Sequence, residues 1–228
     1  MAEILDEKTT KQRGGKREGA GRKKTGRCRD APHRRRPALS NRHPVHIVYR
    51  ITSRCSLRRR EIYAVFRRVL AQYLGLADFR IVHISIQTNH LHMLVEAADA
   101  NVLTQRIKSF ATRAARALNK RQGSCGPVFA YRYYASQIKT ARYARHALGY
   151  VLNNWRRHRQ DWEHAAARSA KLDPYSSAVS FDGWTMRFSP PKSYAPLPVS
   201  PPHTTLLRED WRLYGLIDPW EVPGPLWK

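Results

Sequence analysis

The sequence predicts an α+β fold. We expect a ferredoxin- or RRM-like βαββαβ unit, in which an antiparallel sheet carries helices on one face, followed by one further helix toward the C-terminus. Extended and helical patterns alternate in the order strand, helix, strand, strand, helix, strand. Only Thr88 and Asn89 separate the second and third strands, which is short enough for a tight hairpin.

The first four elements follow from their residue types. Residues 46–52 are rich in β-formers and predict the first strand. Apolar residues at i, i+3 and i+4 spacing predict a first helix at 58–74, and Gly75 marks the turn after it. Two further extended stretches predict strands at 80–87 and 90–96.

The remaining elements are a second helix, a fourth strand and a third helix. An apolar stripe predicts the second helix at 102–121, which ends before Gly123. Residues 128–138 read as the fourth strand, and a basic stretch at 140–160 predicts the third helix.

The charge of the chain points to a polyanionic partner. The 228 residues include 42 Lys and Arg against 17 Asp and Glu, a formal net charge of +25. Nucleic acid is therefore the first expected partner and an anionic membrane surface the second. No stretch approaches the ~20 apolar residues that span a bilayer, and no signal-peptide pattern follows the N-terminal charges. We expect a soluble cytoplasmic protein that associates with the nucleoid and makes no membrane contact.

The cysteines give no structural framework. Cys28, Cys55 and Cys125 are far apart and form no CxxC motif. Neither a set of disulfides nor a cysteine zinc site is indicated, and reduced thiols are expected.

Basic residues dominate the N-terminal region. Residues 1–37 are expected to form a disordered basic arm because they contain few apolar residues. Glycines flanking its arginines resemble an AT-hook arm that enters the minor groove, although Lys23 follows Arg22 where that motif has proline. A nonspecific basic tail that sits on phosphates is the alternative.

Two further regions follow the arm. The folded domain is expected at 40–160, and 161–228 is a proline- and tryptophan-rich extension. Its tryptophans suggest that the extension docks on the domain.

The triplet His90-Leu91-His92 lies on the third predicted strand. Because side chains alternate along a strand, both imidazoles point to one face and Leu91 points into the core. The triplet therefore offers two metal ligands from one strand. Two ordinary, partly buried strand histidines fit the same pattern.

Tyr150 and Asn154 are four residues apart on the third predicted helix and therefore share a face. If that face packs on the strand of His90 and His92, one site gathers two imidazoles, an amide oxygen and a phenol. Such a set suits six-coordinate Mg²⁺ or Mn²⁺ with positions left for water and phosphate. Tyr150 alone also fits a core aromatic, and Tyr143 is a rival two turns earlier.

These residues carry a family resemblance. The strand Asn89-His90-Leu91-His92 and the helix Tyr150-Val151-Leu152-Asn153-Asn154 resemble the single-tyrosine HUH transposases of the IS200 type, and most closely the REP-associated tyrosine transposases of bacteria. The segments 174–178 and 181–184 and the Gly-Arg-rich arm are similar to the same group. The resemblance covers roughly residues 40–185.

The resemblance implies a catalytic domain at 40–160 with the third helix as the catalytic helix. His90 and His92 match the metal-binding pair, Tyr150 matches the nucleophile and Asn154 matches a polar third ligand. In such enzymes the tyrosine attacks single-stranded DNA at or near hairpin-forming repeats and leaves a 5′-phosphotyrosine and a free 3′-hydroxyl. The implied partner is single-stranded or hairpin DNA, and the implied state is a monomer or homodimer.

Basic side chains are expected on the DNA backbone. The candidates are Arg17, Arg22, Lys23, Arg54, Arg113, Arg142, Arg145, Arg156 and Arg157. Trp155 departs from the family pattern, since many members have proline there, and this change affects the exit of the helix.

Two alternatives stay open. The first is a noncatalytic, domesticated DNA- or RNA-binding protein on the same fold, which the βαββαβ order and the charge also fit. The second is a replication initiator or relaxase, but such proteins are usually larger, often with a helicase domain.

Overall fold

A four-stranded antiparallel sheet lies at the centre of the computed structural model, which describes residues 38–52, 56–130 and 132–224. The strands are β1 (Val45–Arg50), β2 (Phe79–Ile86), β3 (His90–Ala97) and β4 (Tyr134–Gln137). Their order across the sheet is β2-β3-β1-β4, so β3 and β1 form the central pair. This is the arrangement of a ferredoxin-like βαββαβ unit, and the predicted fold class is confirmed.

One face of the sheet packs against two helices, α1 (Arg60–Ala71) and α2 (Ala100–Gln122). In the β1–β3 ladder Val48 lies opposite His92 and Tyr49 lies opposite Leu91, and successive residues point to opposite faces. The side chains that meet the helices are apolar and buried. They include Ile47, Tyr49, Leu91, Met93 and Val95 from the strands and Val65, Phe66, Ile107 and Phe110 from the helices. We call this side of the sheet the packed face.

The other side of the sheet carries four histidines and is called here the histidine face. They are His46 on β1, His83 on β2, and His90 and His92 on β3. The helix α3 (Ala141–Leu152) packs on this side, and its N-terminus is capped by the Thr140 side chain. Its apolar contacts join Val82 and Leu94 of the sheet to Ala144, Ala147, Leu148 and Val151 of the helix. The first two helices and α3 therefore lie on opposite faces.

The C-terminal extension encloses α3. It contributes the buried side chains of Trp184 and Trp211 to the same apolar cluster as α3. Its short helices are α5 (Ala165–Ser169) and α6 (Thr205–Arg208). These two tryptophans dock as expected, whereas Trp220 is 48% exposed and Trp227 lies outside the described residues.

Ion pairs connect the extension to both layers. Arg58, just before α1, pairs with Asp173 at 2.8 Å, and both side chains are buried. Arg145 of α3 pairs with Glu221 at 2.8 Å. Removing either partner of the buried Arg58 pair would leave an uncompensated charge, so this contact ties the extension to the residues just before α1.

The third helix differs from the prediction at 140–160. It ends at Leu152, the residue Asn153 (φ −106°, ψ 13°) interrupts it, and a short helix α4 (Asn154–Arg157) follows. The break coincides with contacts to the extension, because Asn153 Nδ2 donates to the Asp218 carbonyl at 2.9 Å. Tyr150 and Asn154 therefore do not lie on one continuous helix.

The fourth strand is also shorter than expected. Regular pairing covers Tyr134–Gln137, and within 128–138 a separate bridge joins Phe129 to Ile51.

Candidate active site

His90 and His92 lie side by side on β3. Their ring centroids are 4.7 Å apart and the ring planes are nearly perpendicular, at 84°. His90 is half-buried, and its Nδ1 lies 2.8 Å from the side-chain oxygen of Asn89. An imidazole that donates from Nδ1 to that oxygen keeps its Nε2 lone pair for another ligand.

His92 has one occupied and one unoccupied ring nitrogen. It is 4% exposed. Its Nδ1 is 3.0 Å from Nε2 of His46, and the two rings are stacked with centroids 5.2 Å apart. Its Nε2 is buried and has no hydrogen-bond partner within the described part of the chain. An unpaired buried polar atom costs about 1–3 kcal/mol, so this nitrogen is a candidate ligand position.

The side chain of Tyr150 on α3 faces His92 and His46. Its ring centroid is 5.3 Å from that of His92 and 6.0 Å from that of His46, in edge-to-face geometry. The rival Tyr143 points elsewhere, since its hydroxyl lies 3.1 Å from Ser136 Oγ on β4. Of the two tyrosines on α3, Tyr150 is the one beside the candidate ligands.

Asn154 begins α4 and is fully buried. Neither Oδ1 nor Nδ2 of its amide has a hydrogen-bond partner among the residues that the structure describes. Residues four positions before and after Asn154 contact His90 and His92. Tyr150 lies beside His92, and the ring of His158 lies 5.3 Å from that of His90. In sequence, Asn154 is midway between these two contacts, and its unsatisfied amide makes it a candidate ligand together with the pair.

The donor set fits a divalent cation. Two imidazole nitrogens and one amide oxygen are the kinds of ligand that Mn²⁺ and, with more water, Mg²⁺ accept. Across the described ranges, no group of three or more His, Cys, Asp or Glu side chains is arranged to hold an ion. A cation bound through His90, His92 and Asn154 would therefore keep coordination positions for water and a phosphate oxygen.

Burial keeps these histidines neutral, which is the form that can bind a metal ion. It lowers the pKa of His46 to about 3. It also lowers the pKa of His90 to about 4, with smaller contributions from the charges of His158 and Arg50. The pKa of His92 lies well below its usual value, again mainly because of burial. These imidazoles are neutral at neutral pH, as metal binding requires.

Two histidines that the sequence reasoning did not select belong to this group. His46 touches His92 because β1 and β3 are neighbours, a contact that depends on strand order. His158 directly follows α4, and its ring lies beside that of His90. The available signal for His158 was its spacing, four residues after Asn154 and eight after Tyr150.

The expected DNA-binding side chains fall into three groups. Those outside the described residues are Arg17, Arg22, Lys23 and Arg54. Two others are engaged inside the protein: Arg145 binds Glu221, and Arg156 donates to Asp161 and to the carbonyls of Pro219 and Lys171. Arg156 is only 7% exposed. Arg145 and Arg156 thus hold the extension against α3 and α4 in this structure, and phosphate contact by either side chain stays a prediction.

Three arginines remain on the surface. Arg142 of α3 and Arg157 of α4 are exposed, and Arg157 also donates from Nη1 to the Pro223 carbonyl of the extension at 3.0 Å. Arg113 lies on α2, where it donates to Gln72 at 2.6 Å. Because α2 covers the packed face, Arg113 is on the side of the sheet opposite the candidate site.

Comparison with models of known protein families identifies a match. The family model described as IS200-like transposase matches residues 40–154, about half of the chain and all of the candidate site except His158. No curated protein matches the sequence. A solved structure of a REP-associated tyrosine transposase bound to a REP hairpin is similar, with a TM-score of 0.45 and 15% identity over 56% of this chain and 74% of that chain. No helix in the described part of the chain is long and apolar enough to span a membrane.

Proposed function

Because the chain belongs to the IS200-like transposase family, we propose that it cleaves and rejoins single-stranded DNA at or near hairpin-forming repeats through a metal-dependent 5′-phosphotyrosine intermediate. The observation that carries this proposal is the position of Tyr150, whose ring lies 5.3 Å from the ring of His92. A phenol beside an unpaired, buried imidazole nitrogen combines a nucleophile with a ligand position.

The proposed reaction conserves the phosphodiester bond energy. The Tyr150 oxygen attacks phosphorus, the bond from phosphorus to the 3′-oxygen breaks, and the proton lost by the phenol is balanced by the one that the 3′-hydroxyl gains. In the reverse step a 3′-hydroxyl attacks the phosphotyrosine, joins the new strand and releases Tyr150. No nucleotide cofactor is needed for this exchange.

His90, His92 and Asn154 are the residues that would hold Mg²⁺ or Mn²⁺. When bound, such an ion neutralises charge on a non-bridging phosphate oxygen. The protein contributes the alignment: β3 fixes the two imidazoles, and α3 presents Tyr150 across them. The buried, unpaired atoms His92 Nε2 and Asn154 Oδ1 support this assignment.

The DNA partner is supported by charge. The formal net charge of +25 favours a polyanion, and exposed Arg142 and Arg157 lie on the helices that carry Tyr150 and Asn154. Tyr150 lies beside His92 of its own chain, which supports activity as a monomer, and a homodimer would carry two such sites. A DNA substrate would place the protein in the cytoplasm, at the nucleoid.

A covalent-adduct assay tests the proposal. The full chain is incubated with a labelled library of single-stranded hairpins and Mg²⁺ or Mn²⁺, and adducts are resolved on a denaturing gel. We expect an adduct that requires the metal and is absent for Tyr150→Phe. Tyr143→Phe is the matched control, because it removes a hydroxyl from the same helix that is bound to Ser136, and it should retain the adduct.

Two outcomes would contradict the proposal. An adduct that persists in Tyr150→Phe would mean that another nucleophile acts. Salt-sensitive DNA binding without any adduct, unchanged by EDTA, would instead support a noncatalytic nucleic-acid-binding protein.

A further inference from the structure

His46 is a buried polar residue to which the proposed function gives no role. It is 2% exposed, lies on β1 and has Nε2 3.0 Å from Nδ1 of His92. Its own strand partner is Leu94, and His92 pairs with Val48, so the two histidines meet diagonally across the β1–β3 ladder. Side chains two residues apart in register are within reach on one face of a sheet. The contact is thus fixed by the central strand pair.

The hydrogen bond between the two rings restricts how protons are distributed. A neutral imidazole carries its proton on one nitrogen and a lone pair on the other. For His92 to offer a lone pair from Nε2, its proton must be on Nδ1, and Nδ1–H must then donate to Nε2 of His46. In the opposite arrangement His46 donates, and His92 carries its proton on Nε2, where it cannot bind a cation.

The surroundings favour the first arrangement. His92 Nε2 is buried and has no acceptor among the described residues, so a proton on that nitrogen would be an unsatisfied buried donor. A lone pair on the same nitrogen is unsatisfied only until a cation binds. The second arrangement therefore costs more, and binding of a cation adds to the preference for the first.

We propose that His46 is a positioning residue that holds His92 in the tautomer and ring orientation in which its Nε2 lone pair faces the site. This inference rests on the proposed function, since it assigns His92 as a ligand. Metal-binding histidines commonly donate their second ring nitrogen to a carboxylate, carbonyl or water, and here a second imidazole takes that place. His46 itself binds neither metal nor DNA in this account.

His83 provides a matched comparison. It is also buried on the histidine face, but its Nδ1 lies 3.1 Å from Ser177 Oγ and its ring meets Phe181 edge to face. It belongs to the contact between the sheet and the extension. Replacing His83 therefore removes a buried imidazole from the same face without touching His92.

The experiment measures Mn²⁺ affinity on the full chain by isothermal titration and by electron paramagnetic resonance. The variants are His46→Leu, His46→Gln and His83→Leu. We expect His46→Leu to weaken Mn²⁺ binding about 10- to 100-fold, as loss of such an outer partner does elsewhere. His46→Gln keeps an acceptor oxygen near the position of Nε2 and should recover most of the affinity, and His83→Leu should leave it unchanged.

A second measurement does not depend on a variant that folds. Long-range ¹H–¹⁵N spectra of histidine-labelled wild-type protein, with and without Mg²⁺, report which nitrogen of His92 carries the proton. We expect the proton on Nδ1 in both conditions. A proton on Nε2 in the presence of Mg²⁺ would overturn the proposal.

The outcomes separate this inference from the proposed function. If wild type binds Mn²⁺ but His46→Leu binds equally well, the role of His46 is refuted and the metal site stands. If the wild-type protein binds no Mn²⁺ or Mg²⁺, both the metal site and the role of His46 are refuted. A loss of affinity in His83→Leu as large as that in His46→Leu would mean that any damage to this face weakens binding, and would also refute the specific role.

Discussion

The two faces of the central sheet differ in kind although the same strands supply both. On β3, Leu91, Met93 and Val95 point into the packed face and are 0% exposed. The neighbouring residues His90 and His92 point to the histidine face. There the buried His92 Nε2 has no partner among the described residues, and His92 Nδ1 contacts His46. One-residue alternation along a strand is enough to separate an apolar core from the candidate active site.

The two faces also differ in how they contribute to the free energy of folding. The packed face is made of apolar side chains closed by two helices, and each contributes through burial. On the other side of the sheet, His92 Nε2 and both amide atoms of Asn154 on α4 are buried without a partner in the described part of the chain. At about 1–3 kcal/mol for each such group, this arrangement disfavours the folded chain unless water or a ligand pairs with these atoms.

The largest expected effect is on the histidine face. His92→Ala should slow adduct formation at least about 100-fold, because the phosphate loses charge stabilisation and alignment. Its effect on the free energy of unfolding should be smaller than that of a core truncation, since the substitution also removes an unsatisfied nitrogen. Adduct kinetics and urea denaturation on the same preparation check both parts.

The adjacent residue should behave in the opposite way. Met93→Ala removes a fully buried side chain from the packed face and should lower the free energy of unfolding by about 2–5 kcal/mol. The rate of adduct formation per folded molecule should not change. If Met93→Ala slowed the folded protein as much as His92→Ala, the two faces would not be functionally distinct.

The third prediction concerns the pH dependence of stability, to which the buried residue His83 on the histidine face contributes. Burial lowers the pKa of His83 from 6.5 to about 4, against a smaller opposing effect of Asp182. Between these pH values the unfolded chain takes up a proton that the folded chain does not, so stability should fall as pH decreases from 6.5 to 4. The contribution of His83 is about 3 kcal/mol at most.

Chemical denaturation of wild type and His83→Gln at pH 7 and pH 4.5 measures this contribution. The variant should lose less stability at the lower pH, because its side chain does not titrate. An identical pH dependence in both proteins would show that His83 is not held neutral by the contact with the extension.

The strands of the sheet could be predicted from the sequence. The β2 and β3 strands begin and end within a residue or so of the predicted bounds, because β-branched residues and the short Thr88-Asn89 link specify them locally. The alternation around Leu91 also placed the two imidazoles of β3 on one face.

The interruption of the third helix could not be predicted in the same way. Residues 150–157 contain no glycine or proline, so no local signal marks the break at Asn153. Contacts with the distant extension accompany it, through the Asp218 and Pro219 carbonyls. Likewise, the partnership of His46 with His92 depends on strand order and register, which a single sequence does not reveal.

The most direct test of the central claim is to identify the residue that carries DNA. A trapped adduct from wild-type protein is digested with trypsin and the DNA-linked peptide is sequenced by tandem mass spectrometry. Cleavage after Arg142, Arg145 and Arg156 puts Tyr143 and Tyr150 on different peptides. We predict a 5′-phosphate linkage on Tyr150 within the peptide 146–156, and a linkage on any other residue would contradict the account.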